Sequence, residues 1–144
     1  MCGLKHQIRY YRLSVEEKER IIGKLRRILM EDEEVVFAYI HGGFTRRELF
    51  RDIDVALWLK DESKAFHYMV KIPVKIQLKL GVSIPVDIQV LNNSPLPFRY
   101  HVFTQGKLLY SRDEKLRQRI VNETIRQYLD LKERQKHVTA ARTP

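Results

Sequence analysis

The sequence contains very little cysteine and no long apolar run. Its single cysteine, Cys2, has no internal partner, which excludes a disulfide-stabilised fold and fits a reducing compartment. No segment approaches the ~20 consecutive apolar residues that a membrane-spanning helix needs. Residues 1–10 carry charges and lack an apolar stretch, so we expect no signal peptide there. These absences predict a cytoplasmic protein that does not enter the membrane.

Acidic side chains are also scarce, and they are unevenly spread. The chain has 27 Lys and Arg against 18 Asp and Glu, for a net charge of +9. Nine of the acids fall within residues 31–62, which hold only four basic residues. A general nucleic-acid binder usually surrounds its working surface with positive charge, so we expect no nucleic-acid partner. The basic remainder either forms solvated helix surfaces or attracts a polyanion or an acidic partner.

The length of 144 residues allows one domain with one hydrophobic core. Ser14 and Glu17 have the spacing of a capping box, and apolar residues recur at helical spacing after them, which predicts a helix over 14–30. The apolar, β-rich run over 35–40 is bounded by charge and by glycine, which predicts a buried strand. Residues 45–50 then form either a turn or a short helix.

Alternation of apolar and polar residues predicts two further strands, over 53–59 and 86–90. Residues 63–80 are predicted to be helical, with Pro73 either kinking the helix or starting a second one, and Gly81 ending it. The remaining predicted elements are a loop over 92–97, a short helix over 98–104, a short strand over 108–110, a final helix over 113–132 and a frayed end over 137–144. This order predicts a single α/β domain over 1–144, with a small mixed sheet of three or four strands and helices packed on it.

Three aspartates form the first candidate site. Asp52 and Asp54 are two residues apart at the start of a predicted strand, so they share a face, about 6.5 Å apart by the ~3.3 Å rise per residue. Asp87 alternates with apolar neighbours on another strand and also projects away from the core. If these strands are adjacent, three carboxylates converge, and divalent cations relieve their repulsion. Two Mg²⁺ ions ~4 Å apart suit phosphate chemistry. An Asp-x-Asp pair alone also occurs at ordinary exposed strand ends.

Gly42 and Gly43 follow the strand predicted over 35–40, with only His41 between. Glycine permits a positive φ and close approach of another group, and backbone N–H groups at such a turn can hold phosphate oxygens. A tight turn with no ligand is the structural alternative. Arg46, Arg47 and Arg51 lie between the glycines and the acids, where they pair with triphosphate oxygens, balance the acidic cluster or are simply solvated.

The histidines and aromatic residues of this region are predicted to have structural roles. His41 precedes the glycines at the strand end, and a turn-stabilising role fits it better than that of a general base. His67 and His101 lie on predicted helices without partner spacing, and Tyr39 and Trp58 are expected to pack on the sheet.

Gly42-Gly43, Asp52-Ile53-Asp54 and Asp87 together resemble the signature of the minimal nucleotidyltransferases, small relatives of the DNA polymerase β catalytic domain. In that family a Gly-Ser turn is followed by Asp-x-Asp and by a third acid on a later strand. The resemblance covers roughly residues 35–91, the predicted catalytic core, and more loosely 95–114. Two departures stand out: position 43 is glycine instead of serine, and eight residues separate Gly43 from Asp52 instead of the commoner ten.

The resemblance implies a polymerase β-like fold and roles for individual residues. Asp52 and Asp54 are expected to ligate two Mg²⁺ ions, with Asp87 as the third carboxylate, which assists the attacking group. Gly42 and Gly43 are expected to meet the triphosphate of ATP. Members of the family often act beside a helical HEPN partner as the antitoxin of a toxin–antitoxin pair and transfer AMP to the toxin.

The sequence therefore predicts Mg²⁺-dependent transfer of a nucleoside monophosphate, AMP from ATP, to a hydroxyl group. Little chain remains after the predicted core to bind an acceptor, so we expect the acceptor on a partner protein. Arg46 and Arg51 are the predicted additional nucleotide ligands. One alternative is a catalytically silent module that neutralises its partner by contact. Another is a nucleic-acid-binding domain, which the acidic central block disfavours.

Overall fold

The computed structural model describes residues 8–142, and side chains up to residue 139. Cys2, most of the N-terminal segment and the last two residues of the predicted frayed end lie outside this part. The elements follow in the order β1 (Tyr11–Arg12), α1 (Val15–Met30), β2 (Val35–His41), α2 (Gly43–Arg46), β3 (Leu49–Phe50), β4 (Ile53–Leu59), α3 (Ala65–Val70), α4 (Ile72–Leu80), β5 (Val86–Val90), α5 (Leu96–Gln105), β6 (Lys107–Ser111) and α6 (Glu114–Arg142).

Helix α1 begins with the predicted capping box. The Ser14 hydroxyl accepts a hydrogen bond from the Glu17 N–H at 3.1 Å, and the Glu17 carboxylate accepts one from the Ser14 N–H at 3.2 Å. Both bonds satisfy N–H groups that have no partner within the helix. The apolar face of α1 buries Ile21, Leu25 and Leu29. The helix predicted over 14–30 is thus confirmed.

The main sheet has four strands in the order β5-β4-β2-β6. Strands β4 and β5 are parallel, and the other neighbours are antiparallel. One face of the sheet packs against α1 and α4, and the other packs against α5 and α6. Both faces are covered by helices, which explains why all seven residues of β2 are buried. The predicted α/β fold, a small mixed sheet with helices packed on it, is confirmed.

The segment predicted as a turn or short helix over 45–50 is partly wrong. A short helix does form, but it ends at Arg46, and Leu49–Phe50 is a strand that pairs antiparallel with Tyr11–Arg12. Strand β1 lies outside the regions with strand periodicity, because two residues are too few to show any alternation. Together β1 and β3 form a separate two-stranded sheet beside the main one.

Several helix limits also differ from the prediction. A 3-10 turn over Glu62–Lys64 precedes α3, and the helical region divides at Lys71, so that Pro73 lies in the first turn of α4. Helix α5 begins at Leu96, because prolines are tolerated in the first turn of a helix. The loop before it therefore ends two residues earlier than predicted.

The final helix is longer than predicted. Helix α6 runs to Arg142, because residues 132–142 contain neither glycine nor proline and are mostly good helix formers. The prediction of a frayed end is therefore wrong for residues 137–142, which belong to α6. No helix in the described part of the chain is both long and apolar enough to span a bilayer.

Tyr110 joins three elements at the end of the main sheet that lies away from the glycine turn. Its buried hydroxyl is within 2.9 Å of the Leu29 carbonyl oxygen and 3.0 Å of the Val35 carbonyl oxygen. One hydroxyl proton is therefore shared between the last turn of α1 and the first residue of β2. This contact fixes α1 against the sheet from a residue on β6.

We predict that Tyr110→Phe lowers the free energy of unfolding by about 1 kcal/mol, because two buried carbonyl oxygens lose their shared donor. Urea denaturation of the metal-free protein measures this loss. The matched control is Tyr100→Phe, since the Tyr100 ring stacks on Tyr128 and its hydroxyl makes no hydrogen bond within the described residues. Equal stability of the two variants would contradict the role given to the Tyr110 hydroxyl.

Candidate active site

The parallel pairing of β4 and β5 brings two of the three predicted aspartates together. Asp54 and Asp87 are directly opposite each other in the strand register. Their neighbours Ile53, Val86 and Ile88 are buried in the core on the other face of the sheet. Both carboxylates therefore project from the same face, as the alternation pattern predicts. Asp54 is half-buried, whereas Asp87 is exposed on the outermost strand.

Asp52 lies one residue before β4 and hydrogen-bonds to the Asp54 side chain. Burial, and then the negative charges of Asp52 and Asp87, together raise the pKa of Asp54 to about 7, while Arg51 opposes the shift. A carboxyl group with this pKa holds a proton near neutral pH when no cation is present. The three aspartates are thus close enough to repel one another, and the proton on Asp54 relieves that repulsion.

The glycine turn is built against Asp54. Gly42 has a φ of +80°, a conformation that residues with a side chain rarely adopt. A β-carbon at Gly42 would lie only 2.3 Å from Oδ2 of Asp54, so the Asp54 carboxylate occupies the space that a side chain would need. The Thr45 hydroxyl donates a hydrogen bond to the Gly42 carbonyl oxygen at 2.8 Å and holds the turn in place.

Gly43 differs from Gly42 in its conformation. It is the first residue of α2, and its φ is not positive. A β-carbon there would make ordinary van der Waals contacts, 3.5 Å to the Phe50 β-carbon and 3.7 Å to the Arg47 δ-carbon. The backbone therefore requires glycine at position 42 and only tolerates it at position 43.

A cleft of about 510 Å³ opens above the glycine turn and the Asp52–Asp54 pair. Positive charge also lines this cleft, because all three arginines of the Arg46–Arg51 segment border it. Arg46 donates a hydrogen bond to the Gln105 side chain at 3.0 Å, which ties the arginine to α5. A cleft lined by both arginines and carboxylates suits a ligand that carries both negative oxygens and bound metal ions.

His41 forms a buried wall of the site. It lies opposite Asp54 in the pairing of β2 with β4, and its ring packs edge-on against Phe98 with 5.6 Å between ring centres. Burial, and then the charge of nearby His101, lower the pKa of His41. Its Nε2 atom has no hydrogen-bond partner among the described residues. A buried, neutral ring without a partner fits a packing role better than that of a general base.

Two residues at the cleft had no site signal in the sequence. His101, expected to be structural, is exposed and lines the cleft from α5, and Tyr10 lines it from the segment before β1. Both lie far in sequence from the glycine turn. Only the packing of α5 and of the β1–β3 sheet brings them to the site, so no local spacing could identify them. His67 lies on α3, and its ring packs against Tyr68.

The aspartates fit a divalent cation by their chemistry. They supply carboxylate oxygens, which Mg²⁺ prefers, and they carry mutual repulsion that a cation would offset. Nevertheless, within the described ranges no group of three or more His, Cys, Asp or Glu side chains is already arranged to hold a metal ion. The donors are therefore near one another, but their arrangement around a cation is not preformed.

Comparison with known proteins is consistent with this geometry. The family model described as "Polymerase beta, Nucleotidyltransferase" matches residues 23–115, which is more than half of the chain and includes both glycines and all three aspartates. A search of curated proteins found no match.

Several solved structures share the fold. A chain of the Shewanella oneidensis complex of tri-AMPylated HEPN toxin with MNT antitoxin superposes with a TM-score of 0.62 at 21% identity, over 88% of this chain and 99% of that one. A chain of the toxin–antitoxin complex MntA–HepT superposes with a TM-score of 0.61 at 21% identity, over 87% of this chain and 99% of that one. A chain of a toxin–antitoxin complex with AMP-PNP superposes with a TM-score of 0.59 at 23% identity, over 88% of this chain and 98% of that one. At these identities the likeness establishes the fold.

We predict opposite effects of alanine at the two glycines. Gly42→Ala should destabilise the protein by about 1–3 kcal/mol, because it strains a positive φ and drives a β-carbon into the Asp54 carboxylate. Gly43→Ala is the matched control and should be neutral or stabilising, because alanine fits the first turn of a helix. Chemical denaturation of both variants measures the difference. Equal losses would show that the turn is not built around Asp54.

We predict that Asp54→Asn raises the melting temperature of the metal-free protein at high pH. The pKa of Asp54 is about 7 in the folded protein and 3.8 in the reference state. Between these pH values the folded protein therefore binds more protons than the unfolded protein. Stability from this group is therefore present at low pH and is lost as the pH rises towards 7. Asparagine cannot lose a proton, so the gain should be small near about pH 4 and largest near about pH 8.

Differential scanning fluorimetry in EDTA across that pH range measures the effect. Asp130→Asn, at an exposed position on α6, is the matched control for removing one negative charge. A melting temperature of Asp54→Asn that falls below wild type at every pH would instead identify Asp54 as a structural residue.

Proposed function

The chain belongs to the polymerase beta nucleotidyltransferase family, and we propose that it transfers AMP from ATP to a hydroxyl group of a partner protein. One observation carries the proposal: the glycine turn, the arginines and the Asp52–Asp54 pair line one cleft, with Asp87 directly beside Asp54. That cleft offers a place for a triphosphate and for the cations that would accompany it.

The phosphate end of ATP is proposed to lie over the glycine turn. The first N–H groups of a helix have no partner within the helix. In α2 the Thr45 N–H donates to the Gly42 carbonyl oxygen, so the N–H groups of Gly43 and Phe44 are the ones available to phosphate oxygens. Gly42 lets the phosphates approach without a side chain in the way. Arg46 and Arg51 supply positive charge from the same cleft, and Arg47 is a third such cation.

The carboxylates have different proposed roles. Asp52 and Asp54 would hold Mg²⁺, two ions in the expected arrangement, and the bound ions would neutralise phosphate charge and lower the pKa of the attacking hydroxyl. Loss of the proton from Asp54 accompanies this, because a carboxyl group must be ionised to bind a cation well. Asp87 is exposed to solvent beside this pair, where its carboxylate can face the acceptor.

The proposed reaction is one displacement at the α-phosphorus of ATP. The acceptor hydroxyl oxygen forms a bond to that phosphorus while its proton passes to the Asp87 carboxylate. The bond between the α-phosphorus and the oxygen that bridges to the β-phosphate breaks, and pyrophosphate leaves with the electron pair. The products are an AMP ester of the acceptor and pyrophosphate.

AMP and a protein acceptor are proposed because of what the similar structures contain. One holds a tri-AMPylated HEPN toxin with its MNT antitoxin, and another holds AMP-PNP. By that likeness the acceptor is a helical HEPN-type partner, and the chain acts as its antitoxin. Transfer of AMP would then inactivate the partner.

A second candidate is a catalytically silent module that neutralises its partner by contact. Two observations favour it: position 43 lacks the serine hydroxyl of the family signature, and no group of metal-binding side chains is preformed within the described residues. The two candidates differ in whether AMP becomes covalently attached to the partner.

The experiment is incubation of the protein with Mg²⁺, a lysate of its own cells and ATP labelled at the α-phosphate. We expect a labelled protein band with wild type and none with Asp54→Asn or in EDTA. ATP labelled at the γ-phosphate should not label that band, which separates nucleotidyl from phosphoryl transfer. Association with a partner without any label from the α-phosphate would establish the silent module instead.

We predict that Gly43→Ser tightens ATP binding in the presence of Mg²⁺. The position has no positive φ and has room for a β-carbon, so a serine hydroxyl can add a phosphate contact worth about 1 kcal/mol or somewhat more. Titration calorimetry with and without Mg²⁺ measures the change, with Gly43→Ala as the control without a hydroxyl. Tight binding of ATP by wild type in EDTA would contradict the metal-bridged arrangement.

A further inference from the structure

A mainly apolar groove runs along the outer edge of the sheet beside Asp87. Its volume is about 420 Å³, and it lies between α3 and the start of α5, next to β5. Met69, Gln89 and Phe98 are among the residues that line it, and none of its lining residues is charged. In the described sheet β5 is an edge strand, so no further strand covers this side.

The groove leads to the catalytic carboxylates. Gln89, which lines it, donates a hydrogen bond to Oδ2 of Asp87 at 3.3 Å. Phe98 lines it from the other side and packs on His41, which lies opposite Asp54 in the strand register. A molecule lying in the groove would therefore reach Asp87 from the side away from the glycine turn and the arginines.

The helix that borders the groove exposes large apolar side chains. Phe66, Met69 and Val70 are 76%, 41% and 52% exposed, although α3 has only six residues. Such a concentration of exposed apolar surface on one short helix is typical of a binding face. The exposure continues onto α4, where Val74 and Leu78 are 59% and 76% exposed.

The charged side chains on α3, on α4 and between them are all basic, whereas Asp61 and Glu62 before α3 and Asp87 on β5 are acidic. Residues 63–86, which include α3 and α4, contain four lysines and neither aspartate nor glutamate. Lys71, Lys75 and Lys79 are exposed among the apolar side chains of these helices. The complementary partner surface is apolar and acidic.

We propose that this groove binds a hydroxyl-bearing segment of the acceptor protein, one rich in apolar and acidic side chains, and presents its hydroxyl to Asp87. The role given to the hydroxyl group rests on the proposed function. The binding of the segment rests on the groove alone. ATP occupies the cleft above the glycine turn, and the acceptor enters from the opposite side of the carboxylates. The apolar contacts hold the segment, and the lysines select an acidic one.

The experiment uses the ¹⁵N-labelled protein and three synthetic peptides. The first has a central tyrosine flanked by leucines and aspartates, the second replaces the aspartates by lysines, and the third replaces the leucines by serines. We expect the first peptide alone to bind, with amide signals of α3, β5 and residues 93–98 shifted. Met69→Glu should weaken its binding about tenfold or more, because a negative charge then faces the aspartates.

Val15→Glu is the matched control, because Val15 is an exposed apolar residue on α1, away from the groove. It should bind the first peptide as wild type does, and so should Asp54→Asn, which abolishes AMP transfer. If the wild-type protein binds the first peptide but transfers no AMP in the labelling experiment, the groove is a peptide-binding site and the proposed function is wrong.

Other results would overturn the proposal. These are equal binding of the lysine peptide, unchanged binding by Met69→Glu, shifts on another surface, or no binding up to millimolar peptide. Shifts of the same signals on raising the protein concentration alone would assign the groove to a second copy of the chain. The same shifts with anionic lipid vesicles, and none with the first peptide, would assign it to a lipid surface.

Discussion

The site depends on the packing of the Asp54 carboxylate against the α-carbon of Gly42. A β-carbon at Gly42 would lie 2.3 Å from Oδ2 of Asp54, so the carboxylate can take this position only because residue 42 has no side chain. The antiparallel pairing of β2 with β4 places His41 opposite Asp54, and the chain turns immediately afterwards. The pairing of β2 with β4 therefore fixes the distance between the glycine turn and the Asp54 carboxylate, without a flexible loop between them.

This contact also explains the electrostatics of the site. Asp54 is partly buried beneath the turn, and its neighbours Asp52 and Asp87 carry the same charge. Burial and repulsion together raise its pKa to about 7, so the ionised form of Asp54 is disfavoured in the free protein, and a bound cation would offset that repulsion. The three arginines that line the cleft are too exposed to remove that repulsion by themselves.

Most of the fold could be predicted from local pattern, because its strands and helices carry strong periodicity. Ser14 with Glu17 located the start of α1, and alternation around Asp54 and Asp87 located β4 and β5 and the face that both acids share. Local pattern could not locate β1 and β3, because two-residue strands exist only through their pairing with each other. The same limit applies to His101 and Tyr10, which reach the cleft only through tertiary packing.

The two sides of the carboxylates differ in how completely the chain builds them. On the side of the glycine turn, the two glycines, three arginines and the Asp52–Asp54 pair form a polar cleft, and a hydrogen bond to Gln105 holds Arg46 there. On the side of Asp87, the sheet simply ends, and an uncharged groove is bordered by exposed apolar residues and lysines. A displacement reaction needs its two reactants on opposite sides of the phosphorus. An enzyme that carried its own acceptor site would enclose both sides, whereas this chain encloses only one. In the proposed transfer to a partner protein, the open edge beside Asp87 is where that partner would complete the site.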